Sequence, residues 1–263
     1  MDYNSISKNI RKKILKMKYE SQEGHIGSAL SCVDILNVLY FKILKIDPKD
    51  PLNEDRDRLV FSKGHAAAAL YAVLSEKEFF EEKILDAYCK DGSKLAGHST
   101  RGSVPGIEIS AGSLGHGLPM ASGMALAGKK DNKNYRVFVL MSDGEMDEGT
   151  TWESALFSAH HKLDNLTVIV DYNKWQAFGR TNEVLNLEPL AKKWESFGWS
   201  VKEINGHNFL EIENVLSIVP FEKVKPNVVI ANTIKGKGVE FLEDKLESHY
   251  THITKEDYEK SIR

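Results

Sequence analysis

Two side chains placed 30 positions apart, Asp143 and Asn173, could together hold a divalent cation. Each follows an apolar run, residues 137–141 before the aspartate and residues 166–170 before the asparagine. Asp and Asn often only cap turns, so neither residue alone would indicate a site. As a pair, a carboxylate and an amide oxygen are suitable ligands for Mg²⁺. Backbone, water and phosphate oxygens would complete the coordination of the ion. The pair therefore predicts a cation and diphosphate site.

The two apolar runs are predicted to be neighbouring strands that position this pair. Between them, a helical pattern places Trp152, Ala155, Leu156 and Ala159 on one face. A strand, a helix and a strand within about 30 residues is the size of one βαβ unit. Its strands are parallel, and open α/β sheets bind ligands at the carboxyl ends of such strands.

Four histidines lie in glycine-flanked or polar loops instead of on apolar helix faces, namely His25, His65, His98 and His249. A single histidine more often has a structural hydrogen-bonding role. A cluster of imidazoles, however, suits hydroxyl recognition and proton transfer. Residues 92–128 include nine glycines, which favour close approach of the backbone to a ligand.

The remaining pattern alternates strands and helices along most of the chain. It predicts an α/β fold, a doubly wound and mostly parallel sheet with helices on both faces. We expect one domain over residues 1–263, with a charged helix near residues 76–90.

Composition narrows the class of protein. The net charge of −3 indicates no nucleic-acid partner, and no apolar run reaches the roughly 18 residues of a membrane span. We expect a cytoplasmic protein in which Cys32 and Cys89 are reduced, buried thiols, with a disulfide as the lesser alternative. No Gly-x-Gly-x-x-Gly fingerprint or complete Walker A loop is present.

Six motifs occur together in a specific order. They are Gly24-His25-Ile26-Gly27, Ser62-Lys63-Gly64-His65-Ala66, Ala96-Gly97-His98, Gly112-Ser113-Leu114-Gly115-His116-Gly117, Asp143-Gly144 through Asn173, and Lys235-Gly236-Lys237-Gly238. In these motifs the chain resembles the N-terminal, diphosphate-binding part of transketolases, which are thiamine diphosphate enzymes. The likeness extends from about His25 to His249.

The resemblance implies a role for each matching residue. Asp143 and Asn173, with the backbone carbonyl of Trp175, would bind Mg²⁺ (or Ca²⁺). The residues implied in binding thiamine diphosphate are His65, Gly112, Leu114, Gly144, Glu145, Asn173 and His249. The residues implied in catalysis on sugar hydroxyls are His25, His98 and His249. Glu148 is expected at a subunit boundary.

Three positions depart from the usual family pattern. Ser142 stands where glycine is common, and His116 stands where many transketolases have glutamine. The segment around His249 differs from that of many relatives, so His252 is an alternative to it.

Length is the largest departure, because single-chain transketolases are more than twice as long. The resemblance implies a second subunit that carries the pyrimidine-binding domain and the glutamate that activates the cofactor, giving an α2β2 heterotetramer. The expected reaction moves a two-carbon ketol unit from a ketose, or a ketose phosphate, to an aldose. The alternatives are 2-oxo acid decarboxylation, deoxyketose phosphate synthesis, or a non-catalytic cofactor-binding subunit.

Overall fold

A five-stranded sheet in which every strand pair is parallel forms the centre of the fold. The computed structural model describes residues 1–261 of the chain. The strands are β1 (Arg58–Phe61), β2 (Val137–Ser142), β3 (Leu166–Tyr172), β4 (Ser200–Asn205) and β5 (Asn227–Asn232). Their order across the sheet is β1-β2-β3-β5-β4. All five strands therefore end at the same edge.

Helices cover both faces of this sheet. The α-helices are α1 (Tyr3–Ser21), α2 (Ile26–Ser31), α3 (Val33–Val38), α4 (Ala67–Glu76), α5 (Gly117–Lys130), α6 (Gly149–His160), α7 (Thr181–Val184), α8 (Leu190–Ser196), α9 (Phe209–Ser217) and α10 (Lys255–Ser261). A π-helical segment (Leu39–Ile43) follows α3 directly. Within residues 1–261, no helix is long and apolar enough to cross a membrane.

Two hydrophobic cores lie on opposite faces of the sheet. Phe138 and Leu140 of β2 belong to the core that contains α1 to α4 and α9. Val137, Val139 and Met141 belong to the core that contains α5, α6 and α8. Successive strand side chains point to opposite faces, so an apolar run of consecutive residues is what a sheet covered on both sides requires.

The predicted α/β fold and its βαβ unit are confirmed. Strands β2 and β3 are parallel neighbours, with Val139 paired to Val168, and α6 connects them. The single domain over residues 1–263 stays a prediction, and residues 262 and 263 lie outside the described part.

The predicted charged helix near residues 76–90 is wrong. Helix α4 ends at Glu76, and only a short 3₁₀ helix (Glu82–Ala87) forms in this segment. Glu78 and Cys89 adopt φ angles of +64° and +54°, in the left-handed region that an α-helix cannot accommodate. The pattern of charged residues did not predict these two left-handed conformations.

The two cysteines are free thiols with different surroundings. Cys32 is buried, as predicted, and burial raises its pKa to about 12. Cys89 is exposed, so its predicted burial is wrong. The backbone explains this position, because Cys89 N–H donates to Leu95 O at 2.8 Å, which fixes the turn with its side chain outward.

A thiol reagent should therefore label the native chain at one site. Cys89 should be labelled in the folded chain, although partial burial raises the pKa of its thiol and slows the reaction. Cys32 should react at least ~1000-fold more slowly than Cys89, since its modification requires unfolding against about 5–15 kcal/mol. A colorimetric thiol count should give one thiol per native chain and two in denaturant. Rapid labelling of the Cys89→Ser variant would contradict the buried position of Cys32.

Candidate active site

A cleft of about 350 Å³ opens at the carboxyl edge of the sheet. It collects residues from segments far apart in the sequence. The sequence-predicted residues that line it are His25, His65, His98, Gly112, Leu114, Asp143, Gly144, Asn173, Trp175 and His249. Of the predicted site residues, Glu145 alone does not line this cleft.

Asp143 and Asn173 follow the adjacent strands β2 and β3. The last paired positions of these two strands are Ser142 and Asp171. Asp143 and Asn173 therefore lie just beyond the paired part of the sheet. Asp143 Oδ2 accepts hydrogen bonds from Lys174 N (2.9 Å) and Thr181 Oγ1 (3.0 Å). These bonds join the two strand-end loops directly.

The Asp143 carboxyl fits a cation. It is 1% exposed, and within residues 1–261 it forms no salt bridge. Burial, and then the nearby Asp171 carboxylate, raise the pKa of Asp143 to about 7. A divalent ion would supply the positive charge that this buried carboxyl lacks. With the buried amide of Asn173, the donor set is the hard-oxygen type that Mg²⁺ and Ca²⁺ prefer.

The four predicted histidines form one cluster. The ring of His25 lies 5.5 Å from that of His65, 6.0 Å from that of His98 and 4.9 Å from that of His249, measured between centroids. The rings of His65 and His249 are 6.1 Å apart and stacked. The imidazoles therefore present hydrogen-bonding groups to one small volume.

Three of these imidazoles, those of His65, His98 and His249, are held neutral by their surroundings. Burial lowers the pKa of His65 well below its ordinary value, and nearby Lys63 lowers it further. Burial also lowers the pKa of His98, and His25 adds to that effect. The pKa of His249 falls to about 3 through burial and the adjacent Lys235. A neutral imidazole can both donate and accept a hydrogen bond, as recognition of a sugar hydroxyl requires.

His249, and not His252, faces the cleft. His249 is 8% exposed, and its Nδ1 lies 3.1 Å from Lys235 Nζ. Burial lowers the pKa of Lys235 to about 8. His252 is exposed, with its Nδ1 2.7 Å from Gln22 O, outside the cleft. The geometry therefore separates two histidines that the sequence left as alternatives.

Glu145 lies behind the cleft wall. Its side chain is completely buried and accepts hydrogen bonds from Ser62 Oγ and from Gly115 N at 3.1 Å. It connects the loop after β1, the glycine-rich loop and the acidic turn, so its role is to support the site. Because Glu145 does not line the cleft, the contact with the cofactor that the resemblance implied stays a prediction.

Ser142 has a local explanation. The backbone N–H of Ser142 donates to Glu145 Oε1 at 3.0 Å, while the Ser142 side chain caps the short helix (Asp143–Asp147) in return. This reciprocal arrangement is a capping box, which satisfies two backbone donors at a helix start. A serine in place of the usual glycine therefore stabilises the turn that carries Asp143.

A buried ion pair below the cleft was not predicted from the sequence. Lys63 Nζ donates to Asp171 Oδ2, and both side chains are fully buried. Ser31 Oγ and Thr233 Oγ1 also donate to the Asp171 carboxylate. Because Lys63 follows β1 and Asp171 lies in β3, the pair connects the two strands that flank β2. A charged residue directly after the apolar run 166–170 was the available signal.

The sequence also matches a known domain family. Residues 4–262 match the family described as "Transketolase, thiamine diphosphate binding domain". The chain belongs to the transketolase family. This match confirms the thiamine diphosphate-binding domain that the motifs predicted.

Relatives and solved structures agree with this assignment. The chain is 42% identical to a subunit of the apulose-4-phosphate transketolase of Phocaeicola vulgatus, over 98% of this chain and 91% of that protein. It is 42% identical to 6-deoxy-6-sulfo-D-fructose transketolase subunit SqwG of a Clostridium species, over 96% of this chain and 92% of that protein. The fold matches transketolase from Leishmania mexicana with a TM-score of 0.93 and 26% identity.

The solved transketolase is a much longer protein. The match covers 99% of this transketolase-family chain but only 41% of the Leishmania mexicana chain. The subunit-type relatives, in contrast, are covered almost completely.

Proposed function

We propose that this chain is the diphosphate-binding subunit of a two-subunit transketolase. The complete enzyme would transfer a two-carbon ketol unit from a ketose, or a ketose phosphate, to an aldose acceptor. One observation carries the proposal: a buried carboxylate and amide lie beside a cluster of four histidines in a single cleft. This chain covers 91% and 92% of two relatives named as transketolase subunits, which supports the division into two subunits.

The metal in this proposal is Mg²⁺ (or Ca²⁺). Asp143, Asn173 and the backbone carbonyl of Trp175 would bind it, and the diphosphate would complete the hard-oxygen set. Gly144, Gly112, Leu114 and His65 line the cleft around this position, where they can contact the cofactor. The whole chain, residues 1–263, would form this single domain.

When bound, thiamine diphosphate supplies a nucleophilic carbon that holds the transferred unit. The protein residues bind and orient the sugar and move protons. His25, His98 and His249 are close enough to engage neighbouring hydroxyls of one ketose, and neutral imidazoles can accept a proton and return it. Lys235 adds positive charge beside His249, which favours an anionic group in the cleft.

The second subunit would supply the pyrimidine-binding domain and the activating glutamate. We propose an α2β2 heterotetramer in the cytoplasm with Glu148, an exposed residue on the rim of the cleft, at the boundary between subunits.

The decisive experiment combines this chain, the second subunit, thiamine diphosphate and Mg²⁺ with a panel of ketose donors and aldose acceptors. The expected products are a ketose with two more carbons than the aldose acceptor and an aldose with two fewer carbons than the ketose donor. Carbon dioxide release from pyruvate without an aldose acceptor would instead indicate a 2-oxo acid decarboxylation, and carbon dioxide release coupled to condensation with an aldose phosphate would indicate deoxyketose phosphate synthesis. Cofactor binding without turnover would indicate a non-catalytic subunit.

His249→Asn and His252→Asn form a matched pair. Loss of an imidazole that transfers protons in the cleft should lower kcat/KM about 100-fold, near the lower end of the ~10²–10⁴-fold contribution of such groups. The variant at position 252 should remain within about twofold of wild type in the same steady-state assay. Equal losses in both variants would remove His249 from the proposed catalytic set.

A further inference from the structure

His25 has an unusual backbone position. It precedes α2 and adopts φ +65°, in the left-handed region that non-glycine residues seldom occupy. Its backbone N–H donates to His249 O at 2.5 Å, and its carbonyl accepts from Ala29 N at 3.1 Å. Such a conformation persists only where several contacts determine it, and these sites are often functional.

The side chain of His25 is held by Glu23, a residue that the resemblance does not assign. His25 Nδ1 lies 3.0 Å from Glu23 Oε1. The second carboxylate oxygen, Oε2, accepts from Lys18 Nζ and from Tyr88 Oη at 2.9 Å. Lys18 is itself 1% exposed and also donates to Gly24 O at 2.6 Å. The Glu23 carboxylate therefore has little freedom to turn.

The charge state of Glu23 fixes the direction of the bond to His25. Burial alone would raise its pKa, but the hydrogen bond from His25 and the charge of Lys18 lower the pKa below its usual range. An ionised carboxylate only accepts hydrogen bonds, so His25 Nδ1–H must be the donor. The His25 ring lines the cleft, and within residues 1–261 its Nε2 has no hydrogen-bond partner.

We propose that Glu23 is a positioning residue that keeps His25 in the Nδ1–H tautomer, with Nε2 free to accept a proton or a hydroxyl hydrogen bond from the sugar in the cleft. Lys18 and Tyr88 hold Glu23 for this task. The inference rests on the proposed function, since it assumes that His25 acts on a sugar hydroxyl. An imidazole base oriented by a third group is a general arrangement in catalysis.

Two double variants test this inference at equal charge. Lys18→Met/Glu23→Gln removes both charges and keeps an oxygen that can accept from Nδ1–H. Lys18→Met/Glu23→Leu removes the same charges and the acceptor. In the assembled enzyme, the leucine variant should have a kcat about 10- to 100-fold below that of the glutamine variant, a part of the ~10²–10⁴-fold that a positioned acid–base group supplies. The KM values of the two variants should agree within about threefold.

Nitrogen NMR of histidine-labelled chain gives a readout that does not depend on activity. The Nδ1–H tautomer of His25 is expected in wild type and in the glutamine variant, and a mixture of tautomers in the leucine variant. An Nε2–H tautomer in wild type would overturn the inference, as would equal kcat values in the two variants. If a variant fails to fold, the wild-type spectrum can still overturn the inference by showing the other tautomer.

A matched control separates positioning from general stability. Arg56 and Glu108 also form a part-buried ion pair, with 17% and 13% of their side chains exposed, and neither residue lines the cleft. Glu108→Gln should lower the melting temperature without changing the His25 tautomer. If the proposed function is wrong, the result differs from failure of the Glu23 inference. Wild type would then show no two-carbon transfer, while its His25 would still have the expected tautomer.

Discussion

Asp143→Asn should abolish the stabilisation that thiamine diphosphate and Mg²⁺ give to the chain in its complex with the second subunit. Cofactor at 100 times its dissociation constant adds about 2.7 kcal/mol to the free energy of unfolding. For a chain of this size, that corresponds to a rise in melting temperature of roughly 5–10 °C in wild type. The variant should show almost none of it, because asparagine lacks the negative charge with which Asp143 would bind the ion.

The same substitution should also change how the stability of the cofactor-free protein depends on pH. The Asp143 pKa of about 7, against an ordinary value of 3.8, means that the folded chain holds a proton that the unfolded chain releases between these values. Stability of the cofactor-free wild type therefore falls as pH rises through this window. The asparagine variant does not titrate at this position and should lose that part of the pH dependence.

Differential scanning calorimetry with and without cofactor, from pH 5 to pH 8, measures both effects. Asp147→Asn is the matched control, since Asp147 is an exposed carboxylate that lines the same cleft. The control should keep the cofactor-dependent rise. A rise of wild-type size in Asp143→Asn would rule out Asp143 as a metal ligand.

Lys63→Met should be the most destabilising single change proposed for this chain. It would leave the fully buried Asp171 carboxylate without its cation, and breaking a buried pair from one side costs about 3–5 kcal/mol. Urea unfolding monitored by circular dichroism measures this loss. The exposed pair of Lys133 and Asp55 offers a control, and Lys133→Met should change the free energy of unfolding far less.

The double variant Lys63→Met/Asp171→Asn should recover most of the lost stability. Asparagine removes the unpaired charge; its one side-chain oxygen can accept from either Ser31 or Thr233, and its NH2 group can donate to the other hydroxyl oxygen. Residues in contact couple by roughly 0.5–3 kcal/mol, so the two changes should not be additive. Additive losses in the double variant would show that the two charges do not stabilise one another in the folded chain.

The strands and the strand-end residues that depend on short stretches of sequence were predicted correctly. The apolar runs 137–141 and 166–170 lie in β2 and β3, because strands covered on both faces consist of consecutive apolar residues. Since the strands are parallel neighbours, Asp143 and Asn173 had to meet at one edge. Both residues were therefore placed correctly from spacing alone.

Contacts between distant residues could not be predicted in this way. Lys63 and Asp171 are 108 positions apart, and their pairing depends on the order of the strands in the sheet. The supporting role of Glu145 depends on the approach of Gly115 from another loop. Without that tertiary context, Glu145 was predicted to contact the cofactor because it lies close to Asp143 in the sequence. The pairing of His25 with Glu23 is local, but the left-handed conformation falls on His25 itself and not on the neighbouring Gly24, where a sequence pattern would place it.

The parallel sheet has a consequence for the order of events in assembly. His65, Asp143 and Asn173 each follow a different strand of one hydrogen-bonded sheet. Folding of the core therefore already fixes their relative positions. The diphosphate end of the site is thus preorganised, and binding there need not include the entropy cost of ordering the loops. Capture of the cofactor by this chain can precede docking of the second subunit, which would then close over a half-site that is already formed.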